Sequence, residues 1–333
     1  MKKKFEGTIH NNIIDGIEIN EWLNSESLHI LAQSRDAHFS LVTHSCYICT
    51  EYKISLNLLT FGGAHLRVPV TVIAPPFSID SAGYSGDLNK LIFDYKKRKG
   101  IYLLLNLSQP PILAKQAKQA KQAAIGETLP ACLFYNRFSC FEQYLFNLRS
   151  GYRRRVKKAL EKGAALRIEK IKNCDFTQAL HSLYLQVLKN SKYPLETLGL
   201  NFFRYFDGDT YVFYDKNEPV AFVMLKQFDN KLSFVFGGMD YAKRDKFDLY
   251  YNMLLLILKQ AIKNKIPLIN LGQTAEHTKQ SIGCVLSKRY MLAFASGWAI
   301  NKFLVLFKSS LEYKSPAAVY RCFASGEERV LGE

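Results

Sequence analysis

The sequence predicts a mixed α/β protein. Its clearest unit lies within residues 232–283, where a strand-length apolar run at 232–236 is followed by a long apolar segment at 249–262 and a second short apolar run at 267–271. Fourteen mostly apolar residues without glycine or proline indicate a buried helix rather than a strand. A strand, a helix and a strand in this order predict a parallel strand pair with a right-handed crossover.

Three strand-like segments lead into this unit and predict an antiparallel meander. They cover residues 210–214, 219–226 and 231–236, and the polar turns at 215–218 and 229–230 separate them. Turns of this length join antiparallel neighbours. The second half of the chain therefore predicts a sheet that is mostly antiparallel, with one parallel pair at its end.

The first half predicts strands around one helix. Residues 68–74 and 101–107 form apolar runs of strand length, and residues 87–99 between them predict a helix with Asp87 as its N-cap. A strand, a helix and a strand in sequence are again typical of an α/β arrangement.

The repeated Lys-Gln-Ala of residues 115–123 predicts a linker. A repeat of three residues drifts around a helix of 3.6 residues per turn, so it builds no lasting apolar face. We therefore predict an N-terminal lobe at 1–113, a linker at 114–130 and a C-terminal lobe at 131–333.

Length, hydropathy and cysteine usage predict a cytoplasmic protein with a large core. The chain has 333 residues, 48% of them hydrophobic, and seven scattered cysteines that suit a reducing compartment. No apolar run approaches the ~20 residues that a membrane-spanning helix needs, and the N-terminus has no apolar stretch of signal-peptide type. Cys46 and Cys49 have the spacing of one metal-ligand pair, but no second pair follows, so we expect buried thiols and no metal site.

Positive charge is concentrated in the second half and indicates an anionic partner. Residues 131–333 carry 31 Lys and Arg against 18 Asp and Glu, and the segment 149–172 alone carries ten basic and two acidic residues. The candidates for anion binding lie on a predicted helix that ends at Gly163, and they are Arg153, Arg154, Lys157 and Lys158. A merely solvated basic face is the alternative.

Several motifs of the second half, taken together, resemble those of GNAT-type acyltransferases, closest to the Fem-type, peptidoglycan-type branch. The matched segments cover about residues 135–300 and are Arg153-Arg-Arg-Val-Lys-Lys-Ala-Leu-Glu-Lys-Gly163, Glu218-Pro-Val-Ala221, Gly237-Gly-Met-Asp240, the buried helix with Tyr250, and Gly272-Gln-Thr274 with Lys279-x-x-x-Gly283. Glu218 replaces the glycine of the family's strand-entry motif. The resemblance implies two GNAT-like lobes, each a mixed, mostly antiparallel twisted sheet flanked by helices, with a degenerate copy at the N-terminus.

The resemblance also implies transfer of an acyl group, expected to be acetyl, from acyl-CoA to an amine of a small-molecule or cell-envelope precursor. The donor then lies where the parallel strands part, bound by Gly237, Gly238, Lys243, Arg244, Lys246, Gln273 and Lys279. The usual acyl-CoA fingerprint is absent from the loop 243–248. Fem-type members lack it too and use aminoacyl-tRNA, so the second hypothesis is a Fem-like aminoacyl transferase that binds tRNA. A catalytically inactive fold that binds RNA or anionic membrane through residues 149–172 is the third.

The catalytic candidates follow the two parallel strands. Acyl transfer to an amine requires removal of a proton and stabilisation of an oxyanion. Glu276 or His277 is the expected base, and Asp240 and Tyr241 are expected to face the same cleft, while Lys279 is expected to meet an anion. The alternatives are a first-turn carboxylate that complements the helix dipole for Glu276 and an ordinary surface position for His277.

Overall fold

The computed structural model describes residues 13–14, 17–25, 28, 31, 39–61, 64–77, 79–111, 123–191, 197–306, 308–314 and 320–324. The strands are β1 (Ile13–Ile14), β2 (Ile17–Glu18), β3 (Phe39–His44), β4 (Tyr47–Phe61), β5 (Ala64–Ile73), β6 (Tyr84–Gly86), β7 (Ile101–Leu107), β8 (Ala124–Tyr135), β9 (Arg167–Ile171), β10 (Asp209–Asp215), β11 (Glu218–Phe228), β12 (Lys231–Met239), β13 (Leu268–Asn270) and β14 (Val285–Ala295). The α-helices are α1 (Leu88–Lys96), α2 (Phe141–Asn147), α3 (Ser150–Gly163), α4 (Gln178–Lys189), α5 (Leu200–Tyr205), α6 (Arg244–Phe247), α7 (Leu249–Lys263), α8 (Glu276–Gln280), α9 (Trp298–Leu306) and α10 (Lys308–Leu311).

The chain divides into two compact units. The first consists of Met1–Pro76, Ser81–Thr128 and Tyr290–Tyr313, and the second of Phe77–Asp80, Leu129–Arg289 and Lys314–Glu333. Residues 290–313, which the sequence-based boundaries assign to the C-terminal lobe, thus belong to the first unit. Residues 114–122 of the predicted linker lie outside the described residues, and residues 124–130 begin β8.

The first unit orders its strands β3-β4-β5-β7-β14, with β6 beside β4. Neighbours in this order are antiparallel except β5 and β7, which run parallel. The helix α1 provides the crossover between those two strands. Its N-cap is Asp87, as predicted, because the carboxylate accepts hydrogen bonds from the backbone N–H groups of Asn89 and Lys90.

The second unit follows the same scheme with the order β8-β13-β12-β11-β10-β9. Here β12 and β13 are the parallel pair, α7 is the crossover helix, and the other neighbours are antiparallel. Each unit is therefore a mixed, mostly antiparallel sheet with flanking helices. The predicted fold class, a mixed α/β protein with two similar lobes, is confirmed.

The helix α7 is the centre of the second unit's core, as its continuous apolar sequence predicts. Leu249, Leu254, Ile257, Leu258 and Ala261 are fully buried. A helix that is apolar on nearly all faces has to be enclosed on nearly all sides, and both the sheet and the basic helix α3 pack against it.

A buried amide joins α3 to α7. Nδ2 of Asn252 donates hydrogen bonds to the backbone carbonyl oxygens of Ala159 at 2.7 Å and Phe247 at 2.8 Å. A Cβ at Gly163 would lie 2.5 Å from this nitrogen, so only glycine permits the approach. The predicted helix end at Gly163 is therefore also a packing requirement that fixes α3 on α7.

The strand β12 and the helix α4 also approach each other closely. A Cβ at Gly238 would lie 2.3 Å from Cε1 of Phe222 and 2.7 Å from the backbone nitrogen of Tyr184. The apolar run at 232–236 predicts a strand that stops before Gly237, but β12 continues through Gly237 and Gly238 to Met239. The glycines allow a helix to lie against the strand rather than stop it.

Among the described residues, no helix combines the length and the apolar character needed to cross a bilayer. The same residues contain no group of three or more His, Cys, Asp or Glu side chains placed to hold a metal ion.

Candidate active site

The candidate site is a cavity at the point where β12 and β13 part. The two strands pair over only three residues each, 231–233 with 268–270, and β12 then continues to Met239 while β13 ends at Asn270. A partly open cavity of about 190 Å³ lies beyond that point, lined by the later half of β12 and by residues 271–274. Crevices beyond the carboxyl ends of parallel strands are common ligand sites.

The walls of the cavity are mostly apolar and aromatic. Phe77, Phe234 and Phe236 line it together with Met239 and Met253. The rings of Phe77 and Phe236 meet edge to face at 5.5 Å, a favourable aromatic geometry that fixes the wall. Of the described residues that line the cavity, only Lys279 carries a charge.

Lys279 brings a buried ammonium to this apolar wall. Its side chain lies on α8 and the residue is 2% exposed. Nζ donates one hydrogen bond, 2.7 Å long, to the backbone carbonyl oxygen of Gln273, and no second acceptor for it is found among the described residues. Burial lowers the pKa of Lys279, while the nearby thiols of Cys132 and Cys284 and the carboxylate of Glu276 oppose that shift. A buried cation with unused donors favours an anion or a carbonyl oxygen as its partner.

Glu276 is the first residue of α8 and is 5% exposed. Its Oε1 atom is fully buried and has no hydrogen-bond partner within the described part of the chain. The carboxylate is near enough to Lys279 to raise the pKa of that ammonium. A carboxylate in this position therefore helps Lys279 remain charged against the cost of burial.

The loop between β13 and α8 is held in a strained conformation. Gly272, Thr274 and Ala275 have φ values of 71°, 63° and 49°. Two of these residues are not glycine, and such backbone strain persists only where the surroundings enforce it. Strained loops of this kind are concentrated at functional sites.

A buried polar network enforces the strained loop. Oδ1 of Asn270 accepts a hydrogen bond from the Gly272 N–H at 2.8 Å, and Nδ2 of Asn270 donates to the carboxylate of Asp80. The other carboxylate oxygen of Asp80 pairs with Nη2 of Arg289 at 2.5 Å, and both side chains are almost fully buried. Sequence reasoning missed Asp80, Asn270 and Arg289, because no local pattern links positions 190 and 209 residues apart.

Tyr250 lies on the first turn of α7 and lines the cavity. Burial raises the pKa of its phenol well above the ordinary value, and the neighbouring Cys132, Cys284 and Tyr241 add to the shift. The hydroxyl group therefore stays protonated at neutral pH and can donate a hydrogen bond or a proton. Sequence analysis placed Tyr250 in a motif and assigned it no role.

Some of the residues expected at the site from the sequence meet at the cavity. Gly237, Gln273 and Lys279 line it, and Glu276 is buried beside Lys279. Nε2 of Gln273 donates to the carbonyl oxygen of Leu129 at 2.5 Å, which fixes this side chain.

Other expected residues lie elsewhere. His277 is exposed, and its ring meets Tyr320 edge to face at 5.0 Å. Asp240 and Tyr241 follow β12 but do not line the cavity. The carboxylate of Asp240 instead accepts a hydrogen bond from the backbone N–H of Ala242 at 2.9 Å. Gly238 faces α4, as described above.

The expected cofactor-binding cations after β12 are all engaged by carboxylates. Nζ of Lys243 pairs with Glu218 at 2.8 Å and with Asp215 at 3.3 Å. Arg244 pairs with the adjacent Asp245 at 2.8 Å, and Lys246 lies 3.7 Å from Asp215. These ion pairs therefore leave the loop with little net positive charge that could bind a phosphate.

Two backbone donors of the same loop are also in use. The N–H of Tyr241 donates to Oε1 of Gln186 at 3.2 Å, and the N–H of Asp248 donates to the carbonyl oxygen of Arg244 within the short helix α6. A loop that cradles a pyrophosphate needs such donors to point outward. These two N–H groups are instead satisfied within the protein.

The basic side chains of α3 fall into two groups, those that contact other parts of the protein and those that face solvent. Arg155 makes a two-pronged ion pair with Asp248, and its guanidinium stacks 4.0 Å from the ring centre of Tyr251. Arg153 donates to the carbonyl oxygen of Phe146 at 3.0 Å. Arg154, Lys157 and Lys158 are exposed at spacings of three and four residues, and none forms an ion pair with any residue that the structure describes. These three cations form one solvent-facing stripe.

Comparison with solved structures shows a shared fold. The chain is similar to the C-terminal domain (DUF2156) of a protein from Agrobacterium fabrum named as a lysylphosphatidylglycerol synthetase, with 11% identity, 90% of this chain and 95% of that chain covered, and a TM-score of 0.52. It is also similar to L-PGS from Bacillus licheniformis, with 11% identity, coverages of 86% and 92%, and a TM-score of 0.50. FemX matches with 10% identity, coverages of 82% and 89%, and a TM-score of 0.48. No protein-family model matches the chain, and no curated protein matches it in sequence.

At such low identity the similarity shows the fold alone. The strand order of each unit, with three antiparallel strands, a crossover helix and a parallel strand, is the order that the motifs predicted. The chain therefore shares the fold of the Agrobacterium fabrum domain and of L-PGS from Bacillus licheniformis.

Proposed function

We propose that this protein is an acyltransferase whose acyl donor enters the cavity between β12 and β13. The observation that carries the proposal is the buried ammonium of Lys279 in the wall of that cavity. Acyl transfer generates an oxyanion, and a fixed cation in a water-poor site stabilises that charge strongly. The apolar walls supply a place for the acyl group itself.

The residues at the cavity support a simple sequence of steps. An acceptor amine attacks the carbonyl carbon of the activated acyl group, and Lys279 donates a hydrogen bond to the carbonyl oxygen as it becomes negative. The bond from that carbon to the leaving oxygen or sulfur then breaks. Tyr250 gives its proton to the leaving atom and regains one from the nitrogen of the new amide, so the proton count balances. Glu276 maintains the charge of Lys279.

Among donors, aminoacyl-tRNA fits these surroundings better than acyl-CoA, the donor first expected from the sequence. A CoA pyrophosphate at the loop after β12 would compete with the carboxylates that already engage Lys243, Arg244 and Lys246. The exposed cations Arg154, Lys157 and Lys158 have no such competitors among the described residues. They lie on α3, which packs on the helix that contributes Tyr250 and Met253 to the cavity.

The named relatives in fold agree with this preference. The Agrobacterium fabrum protein is named for a lysyl-bearing lipid, which is the product of an aminoacyl transfer. Acyl-CoA remains the second candidate donor, because the position of the cavity is the one that the GNAT resemblance assigns to it.

The test is a transfer assay with purified protein, labelled aminoacyl-tRNA or acyl-CoA as donor, and a panel of small amines as acceptors. We expect product from aminoacyl-tRNA, and a loss of ~10²–10³-fold in turnover for Lys279→Met, the range seen when a single oxyanion donor is removed. Lys263→Met removes the same charge from an exposed position on α7 and is the matched control. Full activity of Lys279→Met would exclude this cavity as the site of transfer.

The donor is decided by a second pair of variants. If acyl-CoA is the donor and the loop after β12 binds it, Lys243→Ala with Arg244→Ala raises the KM for acyl-CoA. If aminoacyl-tRNA is the donor, Arg154→Glu with Lys158→Glu raises the KM for tRNA, and the loop variants do not.

A further inference from the structure

We propose that the cavity selects an acyl group whose side chain is apolar and uncharged, of the size of a leucyl or phenylalanyl side chain, and that it rejects acyl groups whose side chain is cationic, such as lysyl. The inference rests on the proposed function, since it names the substrate class of the same site. The proposed preference for an apolar side chain differs from the lysyl group in the name of the similar protein from Agrobacterium fabrum.

The walls of the cavity favour an apolar side chain. Along the faces contributed by β12, α4 and α7, the lining side chains are phenylalanine, methionine, leucine, valine and tyrosine. The polar side chains of the lining are those of Tyr184, Ser191, Tyr250, Gln273, Thr274 and Lys279, and the Lys279 ammonium already donates to the backbone carbonyl oxygen of Gln273. An apolar acyl group gains free energy by leaving water for such walls, whereas a charged one loses its hydration without compensation.

The volume sets the size of the group. A cavity of about 190 Å³ is somewhat larger than the engineered apolar cavity of ~150 Å³ that accommodates benzene in another protein. An aromatic ring or a branched aliphatic group therefore fills it.

The charge at the cavity disfavours a cationic side chain. None of the described residues that line the cavity is a carboxylate, and the ammonium of Lys279 repels a second cation in its low-dielectric surroundings. Glu276 lies outside the wall, and Asp80 is already paired with Arg289 and Asn270. A lysyl side chain would therefore enter the cavity without a counter-ion, and this costs more than the apolar contacts return.

The test uses two probes that differ only in one terminal ammonium, hexanoate and 6-aminohexanoate. Their binding to the full chain is measured by ligand-observed NMR titration, which needs no turnover. We expect hexanoate to bind at least tenfold more tightly. In Lys279→Met we expect both probes to bind more weakly and the ratio between them to narrow, because the repelling cation is gone.

Gly237→Leu tests whether the binding takes place in this cavity. A Cβ at Gly237 would lie 2.7 Å from Cε of Met253 and 2.8 Å from Cζ of Phe234, so a larger side chain fills the space at the expense of mobile side-chain ends. We expect hexanoate binding to be lost while the circular dichroism spectrum is retained. Should that variant fail to fold, chemical-shift changes of the Met239 and Met253 methyl groups in the wild-type protein decide the location.

Equal or tighter binding of 6-aminohexanoate overturns the inference, as does absence of saturable binding by both probes. Transfer that proceeds as fast from lysyl-tRNA as from leucyl- and phenylalanyl-tRNA overturns it too, although the proposed function then stands. Selective binding of hexanoate without turnover of any donor has the opposite meaning, because the specificity of the cavity stands and the proposed function fails.

Discussion

Nζ of Lys279 donates a hydrogen bond to the backbone carbonyl oxygen of Gln273, six residues earlier in the chain, across 2.7 Å. The carbonyl belongs to the strained loop after β13, in which Thr274 and Ala275 have positive φ values. The same ammonium lines the cavity. One side chain therefore both fixes the loop and presents charge to the cavity, so its titration is expected to affect stability as well as the proposed acyl transfer.

The first prediction concerns the stability of the protein as a function of pH. Burial holds the pKa of Lys279 below its ordinary value, which is ~10.4 in an unfolded chain. Between the two pKa values the unfolded state binds more protons than the folded state, so the free energy of unfolding rises with pH through this window. We expect denaturant titrations to show that rise in the wild-type protein and a smaller one in Lys279→Met.

Lys263→Met serves as control for this measurement, because its ammonium is exposed and the same charge is lost. A slope in Lys279→Met as steep as that of the wild-type protein would assign the pH dependence to other groups.

The second prediction concerns the buried pair of Asp80 and Arg289. Asp80→Asn leaves the guanidinium buried without its counter-ion, and breaking such a pair costs ~3–5 kcal/mol in the free energy of unfolding. Asp209→Asn is the matched control, because Asp209 pairs with Lys170 at 2.8 Å with both side chains more than half exposed. Such a pair contributes less than ~1 kcal/mol. Equal losses in urea denaturation would show that the Asp80 pair does not brace the loop.

Much of the fold was predictable because length and apolar pattern decide it locally. The predicted helix at 249–262 is observed as Leu249–Lys263, and the predicted strand at 231–236 begins where β12 begins. The pattern overlooked the helix Phe141–Asn147 and the strand Ala124–Tyr135. The latter begins directly after the repeat of Lys-Gln-Ala, whose composition dominated the prediction.

The site was only partly predictable, for two physical reasons. Lys279 and Glu276 were identified because they follow a strand that ends at a crevice of the kind that binds ligands. Helix periodicity, however, turns His277 outward, one position from Glu276. The charge of Lys243 was visible in the sequence, whereas its pairing with Glu218 arises only from the fold. A cation that lines a cavity and a cation that is paired with a carboxylate look alike in the sequence until their partners are known.

The third prediction compares two glycines. Gly238→Ala places a methyl group 2.3 Å from Phe222 and 2.7 Å from the backbone of α4, where only the ring can give way. We expect a loss of ~1–3 kcal/mol or more in the free energy of unfolding, the range for overpacked interiors. Gly151→Ala on α3 meets no atom within 4 Å, so it is expected to stabilise by ~0.4–1 kcal/mol. Thermal and urea denaturation of both variants measure the contrast, and a neutral Gly238→Ala would disprove the close approach of α4.

The fourth prediction tests the buried helix α7. Leu255 and Ile257 are at most 1% exposed, and replacing a leucine in such a position by alanine costs ~2–5 kcal/mol through lost contacts and a cavity. Leu185→Ala on α4, where the side chain is 36% exposed, is the matched control and is expected to cost clearly less. Losses below ~1 kcal/mol for both Leu255→Ala and Ile257→Ala, which are typical of surface changes, would mean that α7 is peripheral.

The last prediction concerns the exposed stripe of Arg154, Lys157 and Lys158. Cations that neutralise RNA phosphates release counter-ions, so the logarithm of the binding constant falls with the logarithm of salt concentration by ~0.7–0.9 per contact. We expect tRNA binding to the wild-type protein to show a slope of about two to three for this stripe, in addition to any other contacts. Arg154→Glu with Lys158→Glu is expected to flatten the slope and to weaken binding at low salt.

The matched control reverses two exposed lysines of the first unit, Lys53→Glu with Lys302→Glu, and so changes the net charge by the same amount. If the stripe contacts RNA, the salt dependence of tRNA binding becomes shallower only in the α3 variant, because the long-range effect of net charge is the same in both variants. Equal flattening in the two variants would mean that the overall positive charge attracts RNA without a site on α3. An unchanged slope in the α3 variant, with transfer from acyl-CoA retained, would instead make the stripe a solvated surface and return acyl-CoA to the position of preferred donor.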